Sequence, residues 1–212
     1  MYKLVIFDLD GTLLDSAGAI LEAINVTFAE LGLGPYRWER DISRFFGTPF
    51  RQWTETLLKE GDKYSEANVE RMVNIMYDNY AIIGPKHAKL NPGALETLES
   101  LRKKGIRLAV ATNMILRHKL AFFSHFRLDR YFEKVCTVSD VKRGKPFSDE
   151  FICIAKAIPA EKGEVLMVGD SVADVEFARN CGIRVALLDA PWNRKLKPDY
   201  RVERLDRILK IV

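Results

Sequence analysis

The chain has no apolar run long enough to cross a bilayer. Its longest, such as Leu4–Phe7 and residues 185–188, fall far short of the ~20 residues needed. Cysteine is scarce. Cys136, Cys153 and Cys181 are odd in number and widely spaced, with no Cys-x-x-Cys, which excludes a disulfide framework or zinc ribbon and reads as reduced thiols in a cytoplasmic protein. His87, His118 and His125 stand singly, and the last two fall on an expected helix as surface or packed residues rather than ligands. Dense runs of Lys and Arg are also missing. Thirty-three basic residues against 29 acidic ones give only +4, with the acids interspersed, so no nucleic-acid partner is expected. A signal peptide is not expected either, because the first apolar stretch meets Asp8 and Asp10 almost at once. What is present is globular in balance: 212 residues, 48% hydrophobic and 29% charged.

Internal repeats and low-complexity stretches are absent. Residues 3–7 form an apolar run of strand formers ended by Asp8, the pattern of a strand buried on both faces. From Ser16 to about Ile83 the signals are helical. Ile20, Ala23, Ile24, Phe28 and Leu31 make one stripe, stopped by Gly32 and Gly34. Phe50, Trp53, Leu57 and Leu58 make a second; Val69, Met72, Val73, Met76 and Tyr80 make a third, begun near Ser65 as N-cap. These stripes read as core. After Gly84-Pro85 the rhythm changes, and Pro92 is expected in the first turn of a helix reaching Gly105. Strands over 106–111, 134–138, 165–168 and 183–188 then alternate with helices over 115–125, 148–158 and 173–181. That alternation predicts an α/β class: a Rossmann-like parallel sheet with helices on both faces. The first strand has nothing to bury against unless it joins this sheet. The expected organisation is therefore a core of residues 1–15 and 88–212 with an all-helical domain, 16–87, inserted after the first strand.

Ligands of an open parallel sheet bind beyond the carboxyl ends of its strands. The first strand delivers Asp8-Leu9-Asp10-Gly11-Thr12, the second Thr112-Asn113, and the strand 165–168 delivers Gly169-Asp170-Ser171 with Asp174 a helical turn further on. Lys145, in Gly144-Lys145-Pro146, precedes the helix between the third and fourth strands. Each acid alone is explained by helix capping, worth ~1 kcal/mol. Four carboxylates at one edge repel and stay ionised only beside a cation or a lysine. Carboxylate oxygens without His or Cys nearby select Mg²⁺. Such a set suits attack of a carboxylate on a phosphate monoester, a second carboxyl two residues on protonating the leaving alcohol and then activating water.

Asp8-Leu9-Asp10-Gly11-Thr12-Leu13-Leu14-Asp15, Thr112, Gly144-Lys145-Pro146 and Gly169-Asp170-Ser171-Val172-Ala173-Asp174 resemble, in order, the four motifs of the haloacid dehalogenase-like superfamily. The nearest resemblance is to its phosphoglycolate phosphatase and β-phosphoglucomutase-like branch, and it spans the whole chain. It implies Asp8 as nucleophile and Mg²⁺ ligand, and Asp10 as general acid and base with its carbonyl on the metal. It implies Asp170 as a further metal carboxylate, with Asp174 orienting metal-bound water or Lys145. Thr112 and Lys145 would hold phosphoryl oxygens, helped by the amides of Leu9 and Asn113. Asp10 argues against the dehalogenases of the superfamily, whose halide leaving group needs no proton.

In that branch the inserted domain is a cap that selects substrate. The segment from Arg44 to Arg51 resembles its specificity loop, with Arg44, Thr48 and Arg51 as candidates to hold a carboxylate or second phosphate; both arginines also read as solvated helix ends. Three functions follow: a Mg²⁺-dependent phosphatase acting on a small phosphorylated metabolite, a sugar-phosphate phosphomutase using the same aspartyl-phosphate, or a phosphate-binding module without catalysis. A monomer and a homodimer fit equally. Residues 16–87 hold 8 basic and 10 acidic side chains (−2) and the remainder 25 and 19 (+6), so the positive excess lies in the part expected to attract phosphate.

Overall fold

The structure, a computed structural model, describes residues 1–45 and 50–212. Two compact units emerge, one of Met1–Asp15 with Lys89–Val212 and one of Ser16–Ala88.

In the first unit, β1 (Leu4–Phe7) runs through the middle of a six-stranded sheet and is buried at all four positions. β2 (Leu14–Asp15) belongs to a separate two-stranded ladder. The second unit holds α1 (Ala17–Ala29), α2 (Phe50–Glu60) and α3 (Glu66–His87). Its core joins the stripes seen in the sequence: Ile20, Ile24 and Phe28 of α1 are buried, as are Val69, Met72 and Tyr80 of α3. Ser65 caps α3, its side chain accepting from the Asn68 amide at 3.1 Å. The helix does not stop at Gly84-Pro85 as its composition predicts. Pro85 sits inside α3, which runs two residues further to His87. A proline in the last turn costs one ladder hydrogen bond and leaves the preceding turns intact.

The chain returns to the first unit at β3 (Lys89–Leu90), antiparallel to β2. α4 (Ala94–Lys103) follows, and here the structure corrects the placing of Pro92. Gly93 is the N-cap, at φ 83°, so the proline lies one residue before the cap rather than in the first turn. Then come β4 (Arg107–Thr112), α5 (Leu116–Phe126), β5 (Lys134–Thr137), α6 (Asp149–Ala157), β6 (Val165–Gly169), α7 (Val172–Cys181), β7 (Arg184–Leu188) and β8 (Tyr200–Val202). The sheet order is β5-β4-β1-β6-β7-β8, every pair parallel. Leu4, Ile6, Ala109, Met167, Phe177 and Val185 share one apolar core. β8, with only three residues, was not expected from the sequence. The α/β class and the parallel, Rossmann-like sheet are as predicted.

Register decides where chemistry can occur. Phe7 stands opposite Val110 on one side and Val168 on the other. The residues following β1, β4 and β6 are thereby brought level at one edge. The chain also reverses direction beside β1, moving outward through β4 and β5 before β6 returns to β1's other flank. Open α/β sheets bind ligands at such a switch point.

Candidate functional site

Asp8 leaves β1 with its amide donating to the Val168 carbonyl at 2.9 Å. Its carboxylate Oδ1 lies 2.7 Å from Lys145 Nζ, and Asp174 Oδ1 lies 2.7 Å from the same ammonium. All three residues are buried. Asp174 reaches this position because of its place in α7: Ser171 is the N-cap and Asp174 the third residue of a capping box. Its Oδ2 accepts from the amides of Asp170 and Ser171 at 3.1 and 3.0 Å, and from Ser171 Oγ at 2.7 Å. The carboxylate that satisfies the helix terminus therefore also fixes the lysine. Asp170, fully buried at the end of β6, accepts from Thr12 Oγ1 at 2.9 Å on Oδ1.

Two glycines make this crowding possible. Gly11 turns at φ 82°, and a Cβ there would lie 2.3 Å from Asp170 Oδ2. At Gly169 a Cβ would meet Asp174 Cγ at 2.3 Å. Any larger residue at either position displaces a carboxylate.

The electrostatics follow from burial. Desolvation pushes the Asp8 carboxyl up to about 7, with Lys145 pulling it down and Asp174 raising it. Asp170 is raised well above the ordinary carboxylate range by burial and by Asp174 and Asp8, against the lowering effect of Thr12 and Trp192. Burial alone would depress Lys145, but Asp174 and Asp8 more than reverse this and hold it above the ordinary lysine value. Oxygens of Asp8, Asp170 and Asp174 all lie within 4.8 Å of one another. When all three are ionised, the carboxylates exceed the one ammonium by two negative charges in a buried space, which is why burial and their mutual repulsion raise Asp8 and Asp170. A dication with a preference for hard oxygen donors fits that deficit and that donor set.

The other residues singled out in the sequence take varied places. Thr112 ends β4, and its Oγ1 accepts from the Met114 amide at 3.1 Å. Asn113 Nδ2 donates to the Lys145 carbonyl at 2.9 Å, which joins the end of β4 to the lysine loop. The Leu9 amide lies against the Asp8 carboxylate, and the Leu9 carbonyl accepts from the amides of Thr12 and Leu14 at 3.2 and 2.9 Å. Asp10, half-buried, bridges to Leu14 in the same turn. In the second unit, Arg44 Nη2 donates to both Glu60 oxygens at 2.8 and 2.7 Å. Arg51 pairs with Glu55, Glu66 and Glu70. An anion at either arginine competes with these carboxylates. Thr48 lies outside the described residues.

Three contributors escaped the sequence reading. Glu150, in the first turn of α6, is fully buried, and among the described residues neither of its carboxylate oxygens has a well-formed hydrogen bond. No periodicity distinguishes it from a solvated first-turn acid. Trp192 donates from Nε1 to Asp170 Oδ2 at 3.0 Å. Its neighbour Asn193 donates to the Asp170 carbonyl at 2.7 Å. Both residues follow β7, just as the acids follow β1 and β6.

Among the described residues no helix is long and apolar enough to cross a membrane. A family model described as haloacid dehalogenase-like hydrolase matches residues 5–188. A phosphoglycolate phosphatase of Aquifex aeolicus is 30% identical over 99% of this chain and 96% of its own length. The pyrophosphatase PpaX of Halalkalibacterium halodurans is 28% identical over 98% of this chain and 95% of its own. Among solved structures, a predicted phosphoglycolate phosphatase from Haemophilus somnus superposes with a TM-score of 0.89 at 26% identity, covering 99% of this chain and 97% of that one. The match takes in every strand from β1 to β7, and with them the acids and the lysine gathered at the sheet edge: the chain belongs to the haloacid dehalogenase-like hydrolase family.

Proposed function

We propose that the protein is a Mg²⁺-dependent phosphatase that hydrolyses a small-molecule phosphate monoester through an aspartyl-phosphate on Asp8. One observation carries the reading: a carboxylate at the end of the central strand, 2.7 Å from a buried lysine, within a cluster of three acids whose charge one lysine cannot balance. The names of the relatives, phosphoglycolate phosphatase and pyrophosphatase, support a small phosphorylated substrate.

In this reading Asp8 and Asp170, with the Asp10 carbonyl, hold Mg²⁺, and Asp174 supports them from behind. Bound there, the ion supplies positive charge against the negative phosphoryl oxygens. A carboxylate oxygen of Asp8 forms a bond to phosphorus as the ester oxygen departs, and Asp10 gives that oxygen a proton. Asp10, now ionised, takes a proton from water; the water attacks phosphorus, releasing phosphate and restoring Asp8. Lys145, Thr112 and the amides of Leu9 and Asn113 hold the phosphoryl oxygens. We assign the helical unit the role of a cap that discriminates among substrates, and three free cysteines fit a cytoplasmic enzyme.

The experiment is release of inorganic phosphate from an aryl phosphate, phosphoglycolate, sugar phosphates and pyrophosphate, with MgCl₂ or with EDTA. Release from monoesters that depends on Mg²⁺ is expected. EDTA-insensitive release, or none from any ester, contradicts the proposal. Isomerisation of a sugar phosphate without release identifies a mutase instead.

A further inference from the structure

Beyond β7 the chain turns through residues 189–196 before forming β8, and two consecutive side chains of this turn close on Asp170. Trp192 Nε1 donates to the carboxylate Oδ2 at 3.0 Å, and Asn193 Nδ2 to the main-chain carbonyl at 2.7 Å. Asn193 is itself fully buried and fixed. Its Nδ2 also donates to the Leu188 carbonyl at 2.8 Å, and its Oδ1 accepts from the Ala190 amide at 3.2 Å and from Arg201 Nη1 at 2.8 Å. Arg201, on β8, further donates to the carbonyls of Asn193 and Leu196 at 3.1 and 2.9 Å. A chain of hydrogen bonds therefore runs from the edge strand through Asn193 to the Asp170 carbonyl, and Trp192, next to Asn193 in the chain, reaches the carboxylate.

Among the described residues the two oxygens of Asp170 have one neutral donor each, Thr12 on Oδ1 and Trp192 on Oδ2. Asp8 and Asp174 differ, since both meet the Lys145 ammonium. A carboxylate offers about four lone-pair sites, so one donor per oxygen fixes the plane of the group and leaves each oxygen able to accept again. Neither donor carries a charge, so the full negative charge remains available to a cation. Outer partners of this kind orient the groups that hold a metal.

We propose that Trp192 is a positioning residue for the metal, its indole N–H setting the orientation in which Asp170 meets Mg²⁺, with Asn193 and Arg201 holding the turn that carries it. This rests on reading the acidic cluster as a Mg²⁺ site.

The test is the thermal midpoint of the full-length protein titrated with MgCl₂ alone, for the wild type, Trp192→Phe and Asp170→Asn. The wild-type midpoint should rise with Mg²⁺. Trp192→Phe keeps an aromatic ring, and should need ~10-fold or more Mg²⁺ for the same rise. Asp170→Asn should show none. If Trp192→Phe titrates like the wild type, the positioning role is wrong and the metal reading stands. If the wild type does not respond at all, the metal reading fails and the inference with it. A second readout does not need the Trp192 variant to fold. Trp192 is the one tryptophan of the first unit, Trp38 and Trp53 lying in the second. In a Trp38→Phe, Trp53→Phe protein its emission should change saturably with MgCl₂, at the concentration that moves the thermal midpoint; unchanged emission overturns the proposal.

Discussion

Glu150 shows how much one buried side chain can weigh. Burial lifts its carboxyl from the ordinary 4.5 to about 8, Lys145 lowering it and Asp8 and Asp174 raising it. Its charge also helps raise the thiols of Cys136 and Cys181, which burial raises most. Between those two values the folded protein binds a proton that the unfolded chain has released. The stability this confers is present below about 4.5 and is lost as pH rises through about 8. Glu150→Gln keeps the shape and removes the titration. Denaturant melts of the two proteins at pH 5 and pH 9 should show the variant gaining on the wild type by on the order of a few kcal/mol at the higher pH. A gap that does not vary with pH rules out this account of Glu150. The sequence gives no sign of its burial, because an acid in a first helical turn is ordinary on an exposed helix. Asp8 and Asp170 were legible for the opposite reason: a carboxylate directly after an apolar strand has few places to go but the carboxyl edge of the sheet.

At the scale of elements, α7 links stability to the site. Its cap and its hold on Lys145 are two sides of one carboxylate, Asp174. Ser171→Ala removes the hydroxyl that donates to Asp174 Oδ2 and should cost ~1 kcal/mol, lowering the thermal midpoint by roughly 2–4 °C for a chain of this size. A scanning calorimetry midpoint equal to that of the wild type contradicts the capping argument. Elements with strong periodicity were readable in the sequence. The strands from β4 to β7 fall within a residue or two of their expected bounds, and the Met and aromatic stripes of α1 and α3 are core. Short elements were not. β8 contributes only three residues to a ladder, too few for alternation to register. The end of α3 was misplaced because Gly84-Pro85 carries a breaker signal that one remaining turn tolerates. The brace from Trp192 to Arg201 depends on side chains meeting across a turn, which no local pattern encodes.

At the scale of the whole molecule, charge is unevenly divided. Residues 16–87 carry a net −2 and the rest +6, so the part that holds the acidic cluster is nonetheless the positive one. Attraction of an anionic substrate by this field should appear in the association step. The kcat/KM for a phosphate monoester is expected to fall as NaCl is raised, with kcat nearly constant. A kcat/KM indifferent to salt removes any role for the overall charge and leaves recognition to the site alone.

The central claim, that the Asp8 carboxylate attacks phosphorus, is tested most directly by trapping the phosphoenzyme. Asp10→Asn lacks the base that activates water, yet an aryl phosphate needs no proton on its leaving group. That variant with Mg²⁺ and labelled aryl phosphate should therefore acquire label that hydroxylamine removes and that maps to Asp8. Asp8→Asn under the same conditions should stay unlabelled. Label retained by Asp8→Asn, or no label in Asp10→Asn while wild-type protein turns over, would contradict the mechanism.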